Sequence, residues 1–268
     1  TPPTSPVYAD NKHIVNVFVE VAQGHRRRGV FRRLLEAALA KAVAKGVTTV
    51  QTVTFHDAGR AACRHWDGTL AIEAAENRLK LAEVDWAMVR GWAAEGPKRA
   101  PGVRLERFNE APEADLAAYT ALYTELMNLQ PMGEIESRMT ITPETRRVQE
   151  REFRKKNLIW ETLITRESDG AISGLTEIGH SPDDAHKLFQ VLTGVAPADR
   201  GRGLGKWLKA AMLLHVQEHY PTVKYVGTGN ADSNAPMLSI NQRLGFKRHL
   251  SETVFKFKVD ALCKRLGV

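Results

Sequence analysis

An ungapped internal repeat constrains this chain more than any other feature. Val17-Phe-Val-Glu-Val-Ala-Gln-Gly-His25-Arg26-Arg-Arg-Gly29-Val-Phe31-Arg-Arg-Leu-Leu35 aligns with Val191-Leu-Thr-Gly-Val-Ala-Pro-Ala-Asp199-Arg200-Gly-Arg-Gly203-Leu-Gly205-Lys-Trp-Leu-Lys209 at an offset of 174 positions. In each copy an apolar, β-branched run ends at a glycine-bearing basic turn, and an apolar stripe of helical period follows. A second β-branched run comes next, at 47–50 in one copy and 222–226 in the other. Self-similarity over this length predicts two related domains in tandem. The seam falls in Ala94-Glu-Gly-Pro-Lys-Arg-Ala-Pro-Gly102, a Gly/Pro-rich stretch after the helical or extended segment 86–92. The expected domains are therefore 1–95 and 103–268.

The two copies are unequal. Ahead of Arg200 there is room for a strand at 103–107, helices at 112–128 and 143–155, and strands at 158–165, 171–180 and 188–195. Only 25 residues precede Arg26, enough for one or two strands. The first domain is thus expected to be incomplete, with roughly 70 residues of helix and strand missing ahead of Thr1. Its sheet, from 15–21 and 47–53, would then be covered by an upstream segment, by the second domain or by another subunit.

The turn of the second copy has the chemistry of a pyrophosphate site. Gly201, Gly203 and Gly205 allow backbone amides to approach a phosphate, and Leu204 opens a helix whose N-terminus carries partial positive charge. Arg200, Arg202 and Lys206 add full charges. A Walker loop is excluded because Trp207, not Ser or Thr, follows Lys206. A dinucleotide fingerprint is excluded because Leu208 stands where the third glycine belongs. In the first copy Phe31 takes the place of Gly205, and its benzyl group is expected to crowd a pyrophosphate. Arg26, Arg27 and Arg28 there are either phosphate ligands or a solvated basic face. The first domain is read as a scaffold that does not catalyse.

Arg200-x-x-Gly203-x-Gly205, with the downstream block Thr228-Gly-Asn230-Ala-Asp-Ser-Asn234-Ala-Pro-Met237-Leu-Ser-Ile-Asn241-Gln-Arg-Leu-Gly245-Phe246, resembles the coenzyme A site of the GNAT acyltransferase superfamily. The block reads as a strand end, a short helix capped by Asp232 or Ser233, and a Leu-Gly-Phe entry to a last strand. The resemblance spans the second domain nearly whole and the first in part. The tandem arrangement is similar to that of the mycothiol synthases, although the end of the block is not theirs. The implied fold is α/β (α+β): two tandem GNAT-like domains, each a mixed, mostly antiparallel sheet flanked by helices, the first incomplete. The implied reaction is N-acetyl transfer from acetyl-CoA (coenzyme A) to an amine.

Site residues follow from the resemblance. The oxyanion donor belongs on the strand before the loop, at Thr193, Gly194 or Val195. Asn230 and Asn234 would bond the pantetheine amides, Asn234 serving equally well as a helix cap. A base must take the ammonium proton. Glu177, a lone acid in the apolar run 171–180, is the leading candidate, against a plain exposed-face glutamate. His180 and Glu161 come after it, and His186 reads as a loop residue. Where many members carry a tyrosine acid, four residues before the Gly of Leu-Gly-Phe, this chain has Asn241. An amide can hydrogen-bond the sulfur or the pantetheine but cannot leave a stable anion behind. The thiolate, from a thiol of pKa near ~8.5, would depart unaided or with help from water. The acceptor is expected near 126–136, where Glu134 and Glu136 suit a cationic amine or are simply solvated, and Met127, Met132 and Met139 line a pocket or the core.

Composition narrows the partners. A net charge of +7 invites nucleic acid, yet the basic residues are spread along the chain without aromatic interleaving, so no nucleic acid is expected. No apolar run has membrane-spanning length, and no membrane partner is expected. Cys63 and Cys263 show no metal or redox spacing, which implies no metal and a reducing cytoplasm. A homo-oligomer stays open. Three functions compete: N-acetylation of a small-molecule amine, N-acetylation of a protein or peptide, which a long acidic groove would favour, and a non-catalytic CoA-binding module.

Overall fold

The computed structural model describes residues 8–135 and 138–268, and its elements follow the periods read above. In chain order they begin with α1 (Tyr8–Asn11), β1 (Ile14–Asn16), α2 (Val30–Ala44), β2 (Thr49–Thr54), α3 (Asp57–His65) and β3 (Thr69–Lys80). Then come α4 (Trp86–Arg99), β4 (Arg104–Phe108), α5 (Glu113–Asn128), α6 (Pro143–Lys155), β5 (Ile159–Arg166), β6 (Ile172–His180) and β7 (Lys187–Val195). The chain closes with α7 (Leu204–His219), β8 (Tyr225–Ala231), α8 (Ala235–Leu244), β9 (Lys247–Lys258) and α9 (Val259–Leu266). Among the described residues no helix is long and apolar enough to cross a membrane, and no cluster of His, Cys, Asp or Glu could hold a metal ion.

These elements form two compact units that do not follow the linear division into 1–95 and 103–268. The first holds the described residues of 1–75, 131–138 and 250–268; the second holds 76–130 and 139–249. Two physical causes explain the difference. The far half of β9 pairs antiparallel with β2, Val50 opposite Phe257, and α9 adds Leu262 and Leu266 to the first unit's apolar cluster around Leu35 and Leu39. The expected seam is not a linker either. Residues 94–99 continue α4, which packs on α7 in the second unit. Pro97 sits in the last turn, where its missing N–H forfeits the bond to the Ala93 carbonyl, and Gly96 leaves room for Trp207.

In the second unit the strand order β8-β7-β6-β5-β4 gives a mixed sheet, antiparallel throughout except for the parallel β7–β8 pair. Alternate residues serve its two faces. Leu163, Ile178 and Leu188 join Leu208, Met212 and Leu213 of α7, while Ile164, Leu175 and Leu192 join Tyr119, Leu122 and Leu126 of α5. The first unit has the corresponding parallel pair, Ile14 opposite Thr49 to Asn16 opposite Gln51, and β2 is flanked on its other side by β9. Phe18, the counterpart of buried Leu192, is 71% exposed there.

The repeat extends to backbone conformation. Gly203 (φ +83°) caps α7 and Gly29 (φ +73°) caps α2; Gly201 (φ +82°) has its counterpart in Arg27 (φ +62°), a left-handed residue that is not glycine. Arg200 Nε donates to the Val195 carbonyl, as Arg26 Nε donates to that of Val21. Phe31 is half-buried and packs against the apolar cluster of the first unit, which occupies the side chain expected to crowd the turn.

A test of the α4–α7 contact is Gly96→Ala. The added Cβ would lie 2.2 Å from the Trp207 ring. Overpacking of this kind costs about 1–3 kcal/mol, which chemical denaturation should register as a lower midpoint at unchanged slope.

Candidate active site

The parallel strands β7 and β8 pair only at Lys187–Tyr225, Leu188–Val226 and Phe189–Gly227. Both continue, to Val195 and Ala231, without a further rung, so a wedge opens between 190–195 and 228–231. The cause lies on the other edge of β7. Thr176 pairs with Thr193 and Ile178 with Gln190, so Glu177 alone faces both Val191 and Leu192. One extra residue on a strand is a β-bulge; it bends the strand and sharpens its twist. Beyond the bulge β7 presents backbone groups that need partners. Thr193, Gly194 and Val195 all lie on this free edge.

At the end of β7 a single 3-10 turn, Pro197–Asp199, leads into Arg200, Gly201 and Gly203, and α7 starts at Leu204. The left-handed conformations at Gly201 and Gly203 turn the chain so that the N-terminus of α7 opens at the mouth of the wedge. An added Cβ at Gly205 would touch only Ile240 and Val195, at 3.8 Å, so this glycine faces packing. Arg200 is exposed. Arg202 is turned away, held by two hydrogen bonds to Glu167 (2.9 and 3.0 Å) and one to Asp199 (2.7 Å). These bonds, Glu167 foremost, hold its pKa above the usual guanidinium value. It braces the loop and is not the free phosphate ligand expected from the sequence.

Other cations replace it. Burial, and then the charges of Arg243 and Arg99, depress the pKa of Lys206. Its ammonium lies 5.6 Å from the Trp92 ring, over which Arg243 also stacks, and Arg99 Nε is 3.1 Å from where a Cβ on Gly203 would stand. Three cations gathered at a helix N-terminus, two of which depress the protonation of Lys206, suit an anion. Arg99 escaped the sequence reading because it lay in the presumed linker. Arg243 lay inside the motif block, but only folding shows which way it points.

The asparagines form a small amide cluster. Asn241 is buried; its Nδ2 donates to Asn230 Oδ1 (2.8 Å), and its own Oδ1 has no hydrogen-bond partner. Asn77 Nδ2 also donates to Asn230 Oδ1, at 3.5 Å. A buried unpaired amide oxygen is costly, and a bound N–H or S–H donor would relieve it. Asn234 caps α8 by accepting from the Met237 amide at 3.4 Å, the role expected of Asp232 or Ser233.

Glu177 does not have the setting of an exposed base. It is 0% exposed, and its Oε1 accepts from Thr162 Oγ1 (2.9 Å), from Arg146 Nη2 (3.1 Å) and from the Tyr119 hydroxyl. Arg146 is itself buried, bonds Glu150 and lies over the Tyr119 ring. Burial works against its charge, yet Glu177 holds its pKa above the usual value; burial and then Glu177 push the Tyr119 phenol far up. Through Oε1 this network pins β6 to α5 and α6 at the position opposite the bulge, while the buried Oε2 has no hydrogen-bond partner among the described residues.

A cleft of about 350 Å³ opens beside the apex of the wedge, walled by Leu158, Trp160, Phe189 and Val191, with His180, Ser181, Asp184 and Lys187 also on its lining. His180 Nδ1 lies 2.9 Å from the Lys187 carbonyl, which can only accept. The neutral ring therefore carries its proton on Nδ1, and Nε2 keeps a free lone pair. Glu161 is instead consumed by His215 (2.5 Å), Tyr220 (3.0 Å) and Arg107 (3.3 Å), and His186 is an exposed loop residue. Glu134 belongs to the first unit, where it is paired with Lys256 at 3.2 Å. Glu136 lies outside the described residues. Met127 and Met139 pack against the core beside α5.

Replacing Glu177 by Leu leaves Arg146 buried with Glu150 as its remaining partner. Breaking a buried pair costs about 3 kcal/mol or more, so thermal and denaturant midpoints should fall together. An exposed base would lose turnover and keep its stability.

The comparisons with known proteins agree with this geometry. Residues 4–66 match the acetyltransferase (GNAT) family. A mycothiol acetyltransferase of Clavibacter sepedonicus is 33% identical over 230 residues, 85% of this chain and 67% of that protein. Among solved structures, a tandem GNAT protein from the clavulanic acid biosynthesis pathway superposes with a TM-score of 0.73 at 23% identity, over 95% of this chain and 76% of that one. A GCN5-related N-acetyltransferase from Sphaerobacter thermophilus gives 0.68 at 14% identity, over 93% and 75%. The splayed parallel pair, the basic turn at its mouth and a relative aligned over most of both chains lead to one conclusion: this chain belongs to the GNAT family of N-acetyltransferases.

Proposed function

We propose that the second unit transfers an acetyl group from acetyl-CoA to a primary amine of a small molecule bound in the cleft beside the wedge. One observation carries this reading: Phe189 is both the last rung of the β7–β8 ladder and a wall of the cleft. A cofactor arm in the wedge and an acceptor in the cleft would therefore meet at one residue, the juxtaposition that supplies most of the rate in such transfers.

The chain's own groups divide the work. The α7 N-terminus, with Gly201 and Gly203 amides, Arg200, Lys206, Arg99 and Arg243, suits the phosphates. The free edge of 193–195 offers N–H donors to a pantetheine arm and to a carbonyl oxygen, and Asn241 Oδ1 offers an acceptor. Acetyl-CoA, when bound, supplies the activated acyl thioester. His180 Nε2 is assigned the proton of the acceptor ammonium, directly or through a water.

The dimensions of the cleft favour a small acceptor over a peptide. About 350 Å³ walled by Trp160, Phe189, Leu158 and Val191 is a pocket for an apolar or aromatic body, not a long acidic groove. The first unit is assigned a scaffolding role, since Phe18 stands exposed where Leu192 is enclosed in the second. Both cysteines are free thiols, in keeping with a reducing cytoplasm as the working compartment.

The test is a turnover screen of amines with acetyl-CoA, repeated on His180→Gln. Turnover with the best amine should fall about 10²-fold, the usual worth of a general base, while acetyl-CoA affinity measured by calorimetry stays within about twofold. A His180→Gln enzyme of normal turnover would move the base elsewhere.

A further inference from the structure

The second unit buries a lysine for which the proposed reaction has no use. Lys209, on α7, is 1% exposed, and its ammonium faces the ring of Phe246 at 5.5 Å. Among the described residues no carboxylate is paired with it. Glu161 on β5 is engaged by His215, Tyr220 and Arg107, and Glu177 on β6 is turned to Arg146. Lys187 on β7 lies beside Glu76, Arg99 on α4 is at Gly203, and Arg243 on α8 is stacked on Trp92. A buried lysine without a counter-ion is expensive, so the fold retains it against a cost.

Among the described residues its hydrogen-bond partner is Gln190, which leads to the wedge. Lys209 Nζ donates to Gln190 Oε1 at 2.5 Å. Gln190 Nε2 donates to Thr176 Oγ1 at 3.0 Å, and Thr176 Oγ1 lies 2.7 Å from Thr193 Oγ1. Gln190 is the first residue past the last rung of the β7–β8 ladder, and Thr193 is half-buried on the free edge. The side-chain amide fixes the first two bonds: its oxygen faces the lysine, so its N–H must face Thr176. Either threonine can donate across the last contact; in the arrangement where Thr176 donates to Thr193 every bond runs in one direction, and such chains polarise cooperatively. The hydroxyl proton of Thr193 is then left to donate to a group outside the chain.

We propose that Lys209 is a positioning residue of the cofactor wedge, acting through Gln190 and Thr176 to present the Thr193 hydroxyl as a hydrogen-bond donor to a carbonyl of the acyl-CoA arm. This rests on the reading of the wedge as the acyl-CoA site. Burial alone brings the lysine pKa down to about 7. The ammonium form is the stronger donor. Its contribution to cofactor binding therefore grows as pH falls through neutrality and fades above it.

The experiment is a double-mutant cycle on acetyl-CoA affinity, by calorimetry on the full chain, with Lys209→Met, Thr193→Val and both together, at pH 6 and pH 8.5. Each single change should weaken binding by about three- to tenfold at pH 6, the worth of one hydrogen bond, and the double variant should be no weaker than Thr193→Val alone. The Lys209→Met penalty should shrink at pH 8.5 and vanish in the Thr193→Val background. Thr193→Ser, which keeps the hydroxyl, should bind as the wild type does. Additive penalties, or a Lys209→Met penalty equal at both pH values, would overturn the proposal while leaving the acyl-CoA site intact. A wild-type chain that does not bind acetyl-CoA at all would remove both.

Discussion

One extra residue in β7 governs the second unit. With Val191 and Leu192 set against the single Glu177, β7 turns out of register with its parallel neighbour and stops pairing after Phe189. A parallel sheet normally buries a fully paired ladder, and an open edge inside one demands another source of hydrogen bonds. The bulge is held from the far face by Glu177, fastened to Thr162, Tyr119 and Arg146, and from the α7 face by the chain from Lys209 to Thr193. Each of these buried polar groups is costly alone. Together they fix the shape of an edge that a ligand can complete.

Charge at the mouth of the wedge is assembled from separate parts of the sequence. Lys206 comes from the first turn of α7, Arg99 from the end of α4 and Arg243 from α8, and they add to the positive end of α7, so that Lys206 is held below its usual pKa by burial and by the two arginines. Arg202, in contrast, is spent on Glu167 and Asp199, which stiffens the loop without adding to the anion site. In the proposed phosphate site the backbone amides would set the geometry and the cations would add affinity.

Much of the second unit was legible in its sequence because its elements are long and periodic. Helix 143–155 and the strands near 159–166, 172–180 and 187–195 lie within a residue or two of where alternation and helical stripes put them. The turn at 200–206 was legible too, since only glycine readily takes the φ values found at Gly201 and Gly203. What failed was whatever depends on distant partners. Gly96 and Pro97 looked like a linker because their helix is justified only by Trp207. Residues 250–258 were assigned to the second domain because nothing local reveals that β9 pairs with β2. Glu177 looked like a solitary acid in an apolar strand, for Tyr119 and Arg146 reach it from 58 and 31 positions away. Phe31 was misjudged for the opposite reason: its place in the repeat was right, but its side chain points into the core.

On the proposed function β7, beyond its bulge, offers an open backbone edge to an acyl-CoA arm. Amide hydrogen exchange of the full chain, with and without acetyl-CoA, tests it most directly. Exchange should slow on binding at 191–195 and at 201–206, with the first unit's counterpart at 27–32 unchanged. Protection confined to other segments, or an edge at 191–195 already fully protected in the free protein, would contradict it.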